Sequence, residues 1–369
     1  MEFHDFRFRD VAQLVNGRAY LMPELQSEGK YKIVRVGNFT GKDEWFYSDM
    51  ELDEDKYCYK GDLLYKWACT FGPEIWKDEK TIYHYHIWKV IPKSNFSKEF
   101  LYYYLKLYTP YWLGSTNGAT MVHITKSTME NKKVFLPSYE EQCKIADILL
   151  AYDDLIENNN RRIALLEKAA QELYKEWFVR FRFPGYETTK FENGLPYRWE
   201  FKKLSQISDF VYGKMPKADL ISGTGYPIFS GYRVSGYYPE YMYEDRQLVL
   251  IARGVGGTGD VKISPPKSYI TNLSIVFLLK NNVYQQYLYH TYSLKNLRYL
   301  DTGAAQSQIT IENLKRVKVI CPEVTILEKF NGFVLDIERQ IQKLLDKNQN
   351  LAKQQDLLLP RLLSGKLEV

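Results

Sequence analysis

Apolar and polar positions follow two different periods along this chain, and the changes of period divide it into four parts. Between residues 138 and 183 apolar side chains recur at 4-3 spacing: Ile145, Leu149, Tyr152, Ile156, Ile163, Leu166, Ala170, Leu173 and Trp177, interrupted by Asn159. This spacing predicts a long helix with a coiled-coil seam. Ser138 with Glu141 makes a capping box at its start, and Phe183-Pro184-Gly185 ends it. At about 1.5 Å per residue such a helix is a rod on the order of 60 Å long. Residues 323–369 carry a second rod through Phe330, Val334, Ile337, Ile341, Leu344, Leu351, Leu358 and Leu362, with Asn348 and Gln355 as polar interruptions. Thr325 with Glu328 repeats the capping box, Gly365 is the stop, and Pro360 predicts a kink or change of register in the last turn.

The parts at 1–137 and 184–322 lack this period. The segments at 30–36 (KYKIVRV), 81–91 (TIYHYHIWKVI) and 246–252 (RQLVLIA) are rich in β-branched and aromatic residues and bounded by turn formers, which predicts strands. The stretches at 97–108 and 283–294 read as corresponding helices. Each globular part is thus mixed α and β.

The two halves repeat. GATMVHIT at 118–125 returns 185 residues later as GAAQSQIT at 303–310, and GDLLYKWACTFG at 61–72 falls on RQLVLIARGVGG at 246–257 at the same offset. An insertion or deletion before the GDLLYKW stretch makes the frames slip. The apolar stripe of each rod needs a partner, and the other rod supplies it. In an antiparallel pair about a pseudo-twofold axis, facing residue numbers share one total. Pairing Asn159 with Asn348 sets that total at 507 and makes Ile163 with Leu344 the symmetry mate. An asparagine in an apolar seam fixes register at some loss of stability. The expected core of the helix pair is Ile145, Leu149, Ile156, Asn159, Ile163, Leu166, Ile337, Ile341, Leu344, Asn348 and Leu351.

Composition narrows the class. An apolar fraction of 45% over 369 residues supports two domains with their own cores and excludes a disordered polyelectrolyte. No apolar run reaches a membrane span, MEFHDFRFRD has no signal-peptide core, and four unpaired cysteines indicate reduced thiols in the cytoplasm. Net charge is +1 for 1–137, −2 for 138–183, +6 for 184–322 and 0 for 323–369. The second globular part is therefore basic enough for a polyanion partner and the first is not.

The octets end in Thr125 and Thr310, each preceding a short amphipathic stretch, so each threonine reads as an N-cap at a helix start open to an anion. Gly118 and Gly303 allow a sharp turn. The retained frame would hold the loop while the variable middle, Met121-Val122-His123 or Gln306-Ser307-Gln308, faces what is read. Glutamine suits a bidentate pair with adenine, and apolar groups suit a thymine methyl. An ordinary capped loop is the alternative. Other motifs carry less. GVGGTG at 254–259 follows a strand like a dinucleotide fingerprint, but Pro265-Pro266 stands where a helix is needed. SPPK at 264–267 has lysine in place of the aromatic that would stack on a flipped base, and reads as a turn. His84 and His86 alternate on one strand face with no third metal ligand.

Taken together, GDLLYKW, the GATMVHIT type of loop, LPSYEEQCKIADILLAYDDLIE, YKEWFVRF and LLLPRLLSGKLEV resemble, in order and spacing, the specificity subunits of type I restriction-modification systems over nearly the whole chain. The resemblance implies an α+β fold with two similar target-recognition domains, 1–137 and 184–322, joined by two long antiparallel helices, 138–183 and 323–369, that space the domains and dock other subunits. It implies a noncatalytic subunit that reads a bipartite DNA target. Methyltransferase subunits, two in number, and restriction subunits would be the protein partners and double-stranded DNA the ligand. S-adenosylmethionine, ATP and Mg would be held on the partners and none by this chain. On this reading the candidate DNA contacts in the first domain are Lys66, Trp67, Thr116, Asn117, Thr120, His123, Thr125 and Lys126. Those in the second are Lys214, Arg233, Arg253, Thr258, Gln306, Ser307, Gln308 and Thr310. A self-sufficient DNA methyltransferase or nuclease, and a helical protein-binding scaffold, are the competing readings.

Overall fold

The structure, a computed structural model, describes residues 2–41, 44–113, 123–254, 256–302 and 307–369. It separates into two compact units, Met1–Asn160 with Leu345–Val369, and Arg161–Leu344. The units cut both long helices, because each helix packs on the globular part next to it as well as on the other helix.

In the first unit the chain runs β1 (Phe3–Arg7), α1 (Phe8–Val11), β2 (Ala12–Asn16), β3 (Tyr31–Val34), β4 (Phe46–Ser48), β5 (Tyr57–Cys58) and β6 (Leu63–Lys66). It continues through β7 (Gly72–Ile75), β8 (Thr81–Tyr83), β9 (Ile87–Pro92), α2 (Lys98–Leu113), α3 (Lys126–Glu130) and β10 (Lys133–Pro137) into α4 (Tyr139–Tyr174). The strands form two four-stranded sheets, ordered β2-β9-β6-β7 and β4-β3-β8-β5, and a β1-β10 ladder. All four residues of β6 are buried, as its continuous run Leu63-Leu64-Tyr65-Lys66 implies for a central strand covered on both faces. The segment at 81–91 is two strands and not one. A turn at His84–His86 divides it, so the two histidines do not share a strand face.

The second unit repeats this order. After the β11 (Phe191–Glu192) and β12 (Leu195–Pro196) ladder come β13 (Glu200–Lys203), α5 (Leu204–Ile207), β14 (Ser208–Tyr212), β15 (Tyr226–Phe229), β16 (Val234–Tyr238) and β17 (Leu248–Ile251). Then follow β18 (Val261–Ile263), β19 (Tyr269–Ile270), β20 (Ser274–Leu279), α6 (Tyr284–Leu294), α7 (Ile311–Lys315), β21 (Lys318–Cys321) and α8 (Val324–Leu363). Sheet orders β14-β20-β17-β18 and β16-β15-β19, with a β13-β21 ladder, match those of the first unit except that the second sheet lacks a counterpart of β5. The frame slip is also located. Helices α1 and α5 start at Phe8 and Leu204, 196 apart, whereas β6 and β17 start at Leu63 and Leu248, 185 apart. Most of the additional chain in the first unit lies between β3 and β4, since β3 and β15 start at Tyr31 and Tyr226 but β4 and β16 at Phe46 and Val234; the counterpart of β5 in the second unit is a single bridge, Tyr243 to Ser268.

Helix α4 begins with the expected box: Glu141 N donates to Ser138 Oγ at 3.4 Å, and Ser138 N to Glu141 Oε2 at 3.2 Å. The corresponding expectation for Thr325 fails, since α8 already includes Thr325; Ile326 N and Leu327 N bond back to the Glu323 carbonyl. The end of the first rod also shifts. Helix α4 gives way at Lys175 to one π-helical turn that ends at Val179, short of Phe183, while α8 continues through Pro360 to Leu363 and is stopped by Gly365 at φ +72, as expected.

In the first unit the helices meet through their polar positions. Asn159, 3% exposed, donates to Asn348 at 2.8 Å, and Asn348 donates to Asn160 at 2.9 Å. Gln355 donates to the Leu149 carbonyl at 3.0 Å and to Asp153 at 2.9 Å. In the second unit Trp177 packs on Phe330 with centroids 6.0 Å apart, and the numbers of this pair add to the same 507 as Asn159 with Asn348. Partner numbers rise on one helix as they fall on the other within each unit, which is antiparallel packing. Each globular part borrows helix residues for its core: Ile145, Leu149, Leu359, Leu362 and Leu363 in the first unit, and Ala170, Trp177, Phe178, Phe330 and Val334 in the second. Ile156, Ile163, Leu166, Ile337, Ile341 and Leu351 are half-buried, and Leu344 is buried.

Candidate nucleic-acid interface

The two octets are tied into their units by the same bonds. Ile124 N donates to the Trp67 carbonyl at 3.1 Å, and Ile309 N to the Ala252 carbonyl at 2.9 Å. One residue on, His123 bridges Ala68 and Gln308 bridges Arg253. The octet ends therefore run as an added antiparallel step beside the chain leaving β6 or β17. The isoleucine side chains, 3% and 0% exposed, anchor this step in the core. The threonines then cap as expected, Thr125 accepting from Thr128 N at 3.2 Å and Thr310 from Asn313 N at 3.3 Å. The helices they start, α3 and α7, have five residues each, and the capping hydroxyl already occupies one of the free amides. The anion site expected at these helix starts is therefore not built. A second shared feature lies after β2 and β14. A Cβ on Gly17 or Gly213 would come within 2.2 Å of the Tyr83 or Thr271 carbonyl oxygen, so only glycine permits the crossing.

On this common floor the first unit sets rings. Trp67 donates its indole N–H to the Tyr85 carbonyl at 2.8 Å, stacks on Trp88 and meets the edges of Tyr85 and His86. His84 and His86 lie 5.0 Å apart in the turn between β8 and β9. Burial, then the neighbouring His86 and Arg35, lowers the His84 pKa to about 4, and burial with Arg35 lowers that of His86. Lys66 does not face a ligand. It is 6% exposed, pairs with Glu74 at 2.7 Å and lies 5.0 Å from the Phe39 ring centre, so its charge is neutralised inside the β6-β7 hairpin. His123, Thr125 and Lys126 are exposed, with Lys126 3.8 Å from Glu130.

The second unit sets a cation and a glycine turn. Arg253 lies with its guanidinium carbon 5.5 Å from the centre of the Tyr212 ring. Its carbonyl accepts from the Tyr232 hydroxyl at 3.2 Å. The turn that follows has Gly254 at φ +128, where a Cβ would meet the Tyr232 hydroxyl at 2.5 Å. It leads into β18 and not into the helix of a dinucleotide site. Thr258, inside this turn, is 2% exposed and donates to the Gly254 carbonyl at 3.0 Å; it closes the turn and is removed from the set of accessible contacts. Lys214 and Arg233 are exposed. Ser307 and Gln308 are held by Asp301, whose carboxylate accepts from the Ser307 hydroxyl and, at 2.8 Å, from Gln308 N. Thr116, Asn117, Thr120 and Gln306, with Gly118, Met121, Val122 and Gly303, lie outside the described residues.

Tyr85, Tyr212, Tyr232 and Asp301 complete these surfaces and were not among the expected contacts. Asp301 left a signal, an aspartate two residues before the octet glycine, where a carboxylate commonly caps a turn. Among the described residues no cluster of three metal-ligating side chains occurs, and no helix is long and apolar enough to cross a membrane.

The family described as type I restriction modification DNA specificity domain matches residues 1–168 and 196–347. Two curated proteins of Methanocaldococcus jannaschii are similar to this chain. The type I restriction enzyme MjaIX specificity subunit is 28% identical over 308 residues, 76% of this chain and 71% of that one. The MjaVIII specificity subunit is 27% identical over 341 residues, 84% of this chain and 80% of that one. In fold, the S subunit of the type-I restriction-modification system from M. genitalium is similar, with a TM-score of 0.62 at 17% identity over 98% of this chain and 96% of that one.

Proposed function

The chain belongs to the type I restriction-modification DNA specificity family, and on that premise we propose that each unit reads one half of a split DNA target through its octet and the loops beside it. Its role is that of a specificity subunit, noncatalytic itself, with catalysis in partner subunits. The observation that carries the reading is the pair of octets. Identical backbone bonds hold His123 in one unit and Gln308 in the other, so position is kept while chemistry changes. That is what two readers of different half-sites require. Two methyltransferase subunits would dock along α4 and α8 and bring S-adenosylmethionine, and restriction subunits would bring ATP and Mg. In the isolated chain the first globular part, at +1, neutralises few phosphates, so binding to DNA is expected to be weak and salt-sensitive until partners assemble.

Methylome sequencing of cells carrying the chain and its methyltransferase tests this. Gln308→Ala is expected to relax recognition in one half-site only, by about 1–3 kcal/mol. Relaxation in both halves, or in neither, would show that the octet is a structural loop and that the bases are read elsewhere.

A further inference from the structure

We infer that Arg253, resting on the ring of Tyr212, gives the second unit's half-site a guanine contact that the first unit's frame cannot make. The inference rests on the reading that the octets face base edges.

Three bonds fix the backbone of Arg253. Its N–H donates to the Leu273 carbonyl at 3.2 Å, its carbonyl accepts from the Tyr232 hydroxyl at 3.2 Å, and its strand step is bridged to Gln308. The direction in which the side chain leaves is thereby set before any ligand arrives. The guanidinium then lies on Tyr212, and the Tyr212 hydroxyl accepts from Ile311 N at 3.3 Å, which ties the supporting ring to the start of α7. A planar cation on an aromatic face is held in orientation without losing its donors.

Those donors have no use among the described residues. Among the described residues the Arg253 guanidinium has no ion pair and no hydrogen bond, and its Nε is buried without a partner. Its terminal nitrogens are not among the buried atoms, so they remain open to an acceptor from outside. Guanine presents O6 and N7 side by side in the major groove, which matches the arginine fork. A phosphate would also accept, but phosphate contacts do not require a half-buried stem, a fixed backbone and a ring beneath the cation. The corresponding positions in the first unit are Ala68, bridged to His123, and Asn16, which ends β2 as Tyr212 ends β14. Neither the cation nor its support is present there.

The test is methylome sequencing of cells co-expressing the full chain and its methyltransferase. Arg253→Ala is expected to lower discrimination at one G·C pair on the order of tenfold, in the half-site that Gln308→Ala also relaxes. The first half-site stays strict in the same molecules, which reports that the variant is folded. Tyr212 is a positioning residue: Tyr212→Ala should relax the same base pair and Tyr212→Phe should keep it strict. Arg253→Lys, which retains charge but not the fork, should also relax it. The inference is overturned if Arg253→Ala weakens methylation equally at every sequence, changes nothing, or relaxes both half-sites. It is overturned too if Arg253→Lys leaves the motif strict. If the unmodified chain directs no bipartite motif, the underlying reading fails instead.

Discussion

Trp67, His84, Tyr85 and His86 of the first unit stand where the second unit has Ala252, Thr271, Asn272 and Leu273, yet the strands beneath them pair in the same order. The first surface is one of packed rings with its lysine paired and withdrawn. The second carries a guanidinium on the Tyr212 ring that has no ion pair or hydrogen bond among the described residues. The difference shows how a duplicated fold separates two tasks. Backbone bonds and buried isoleucines hold the octet ends in place, and the side chains beside them differ between the units while those bonds are kept.

Loss of the shared anchors should hurt both units alike. Ile124→Ala and Ile309→Ala each empty a buried site and are expected to cost about 2–5 kcal/mol, measured by denaturant unfolding. A large cost in one unit with none in the other would break the claim of a common frame. Glu74→Ala should act on the first unit alone, because Ile251 stands in the second where Lys66 stands in the first. It leaves Lys66, with 8% of its side chain exposed, without a counter-charge. We expect a loss of about 2 kcal/mol, less than for a fully buried pair because Glu74 is more open, and recovery of most of it in thermal melts when Lys66→Met is added.

Smaller again are the caps. Thr125→Ala and Thr310→Ala should each lose about 1 kcal/mol of stability and leave the methylated motif unchanged. A changed motif would move the threonines from frame to reader. Acid acts on both units, with no effect at neutral pH. Burial lowers His84 in the first unit and His290 in the second from 6.5 to about 4. Between those values the unfolded chain binds the proton and the folded one does not, so each histidine's contribution is intact above about pH 6.5 and falls as pH drops toward 4. His290→Phe should flatten the acid limb of the second unit's unfolding and leave that of the first.

Much of this frame could be read from the chain. A 4-3 period sustained over each helix leaves few alternatives, and the asparagine breaks at 159 and 348 announced their own pairing; only the third member, Asn160, was missed. The octet spacing located the bridged strand step and its threonine caps. What stayed hidden depends on partners brought together by the fold. The run at 81–91 is aromatic and β-branched throughout and contains no glycine or proline to mark its turn. Lys66 reads as a free cation until the hairpin brings Glu74 opposite. Tyr212 and Arg253 belong to strands that β20 separates, so no local pattern joins them.

The first unit is closed by residues 345–369, while the second is one uninterrupted stretch. During synthesis the order of completion is therefore the reverse of the order of translation. The chain of the first unit emerges early, but Leu359, Leu362 and Leu363, which fill its core, leave the ribosome on the order of ten seconds or more later. In that interval Arg161–Leu344 can close by itself, whereas the part made first waits with apolar surface uncovered. Nascent molecules of this protein should therefore engage chaperones through the unit encoded first, and a released chain truncated after Leu344 should show a protease-resistant second unit and a sensitive first one.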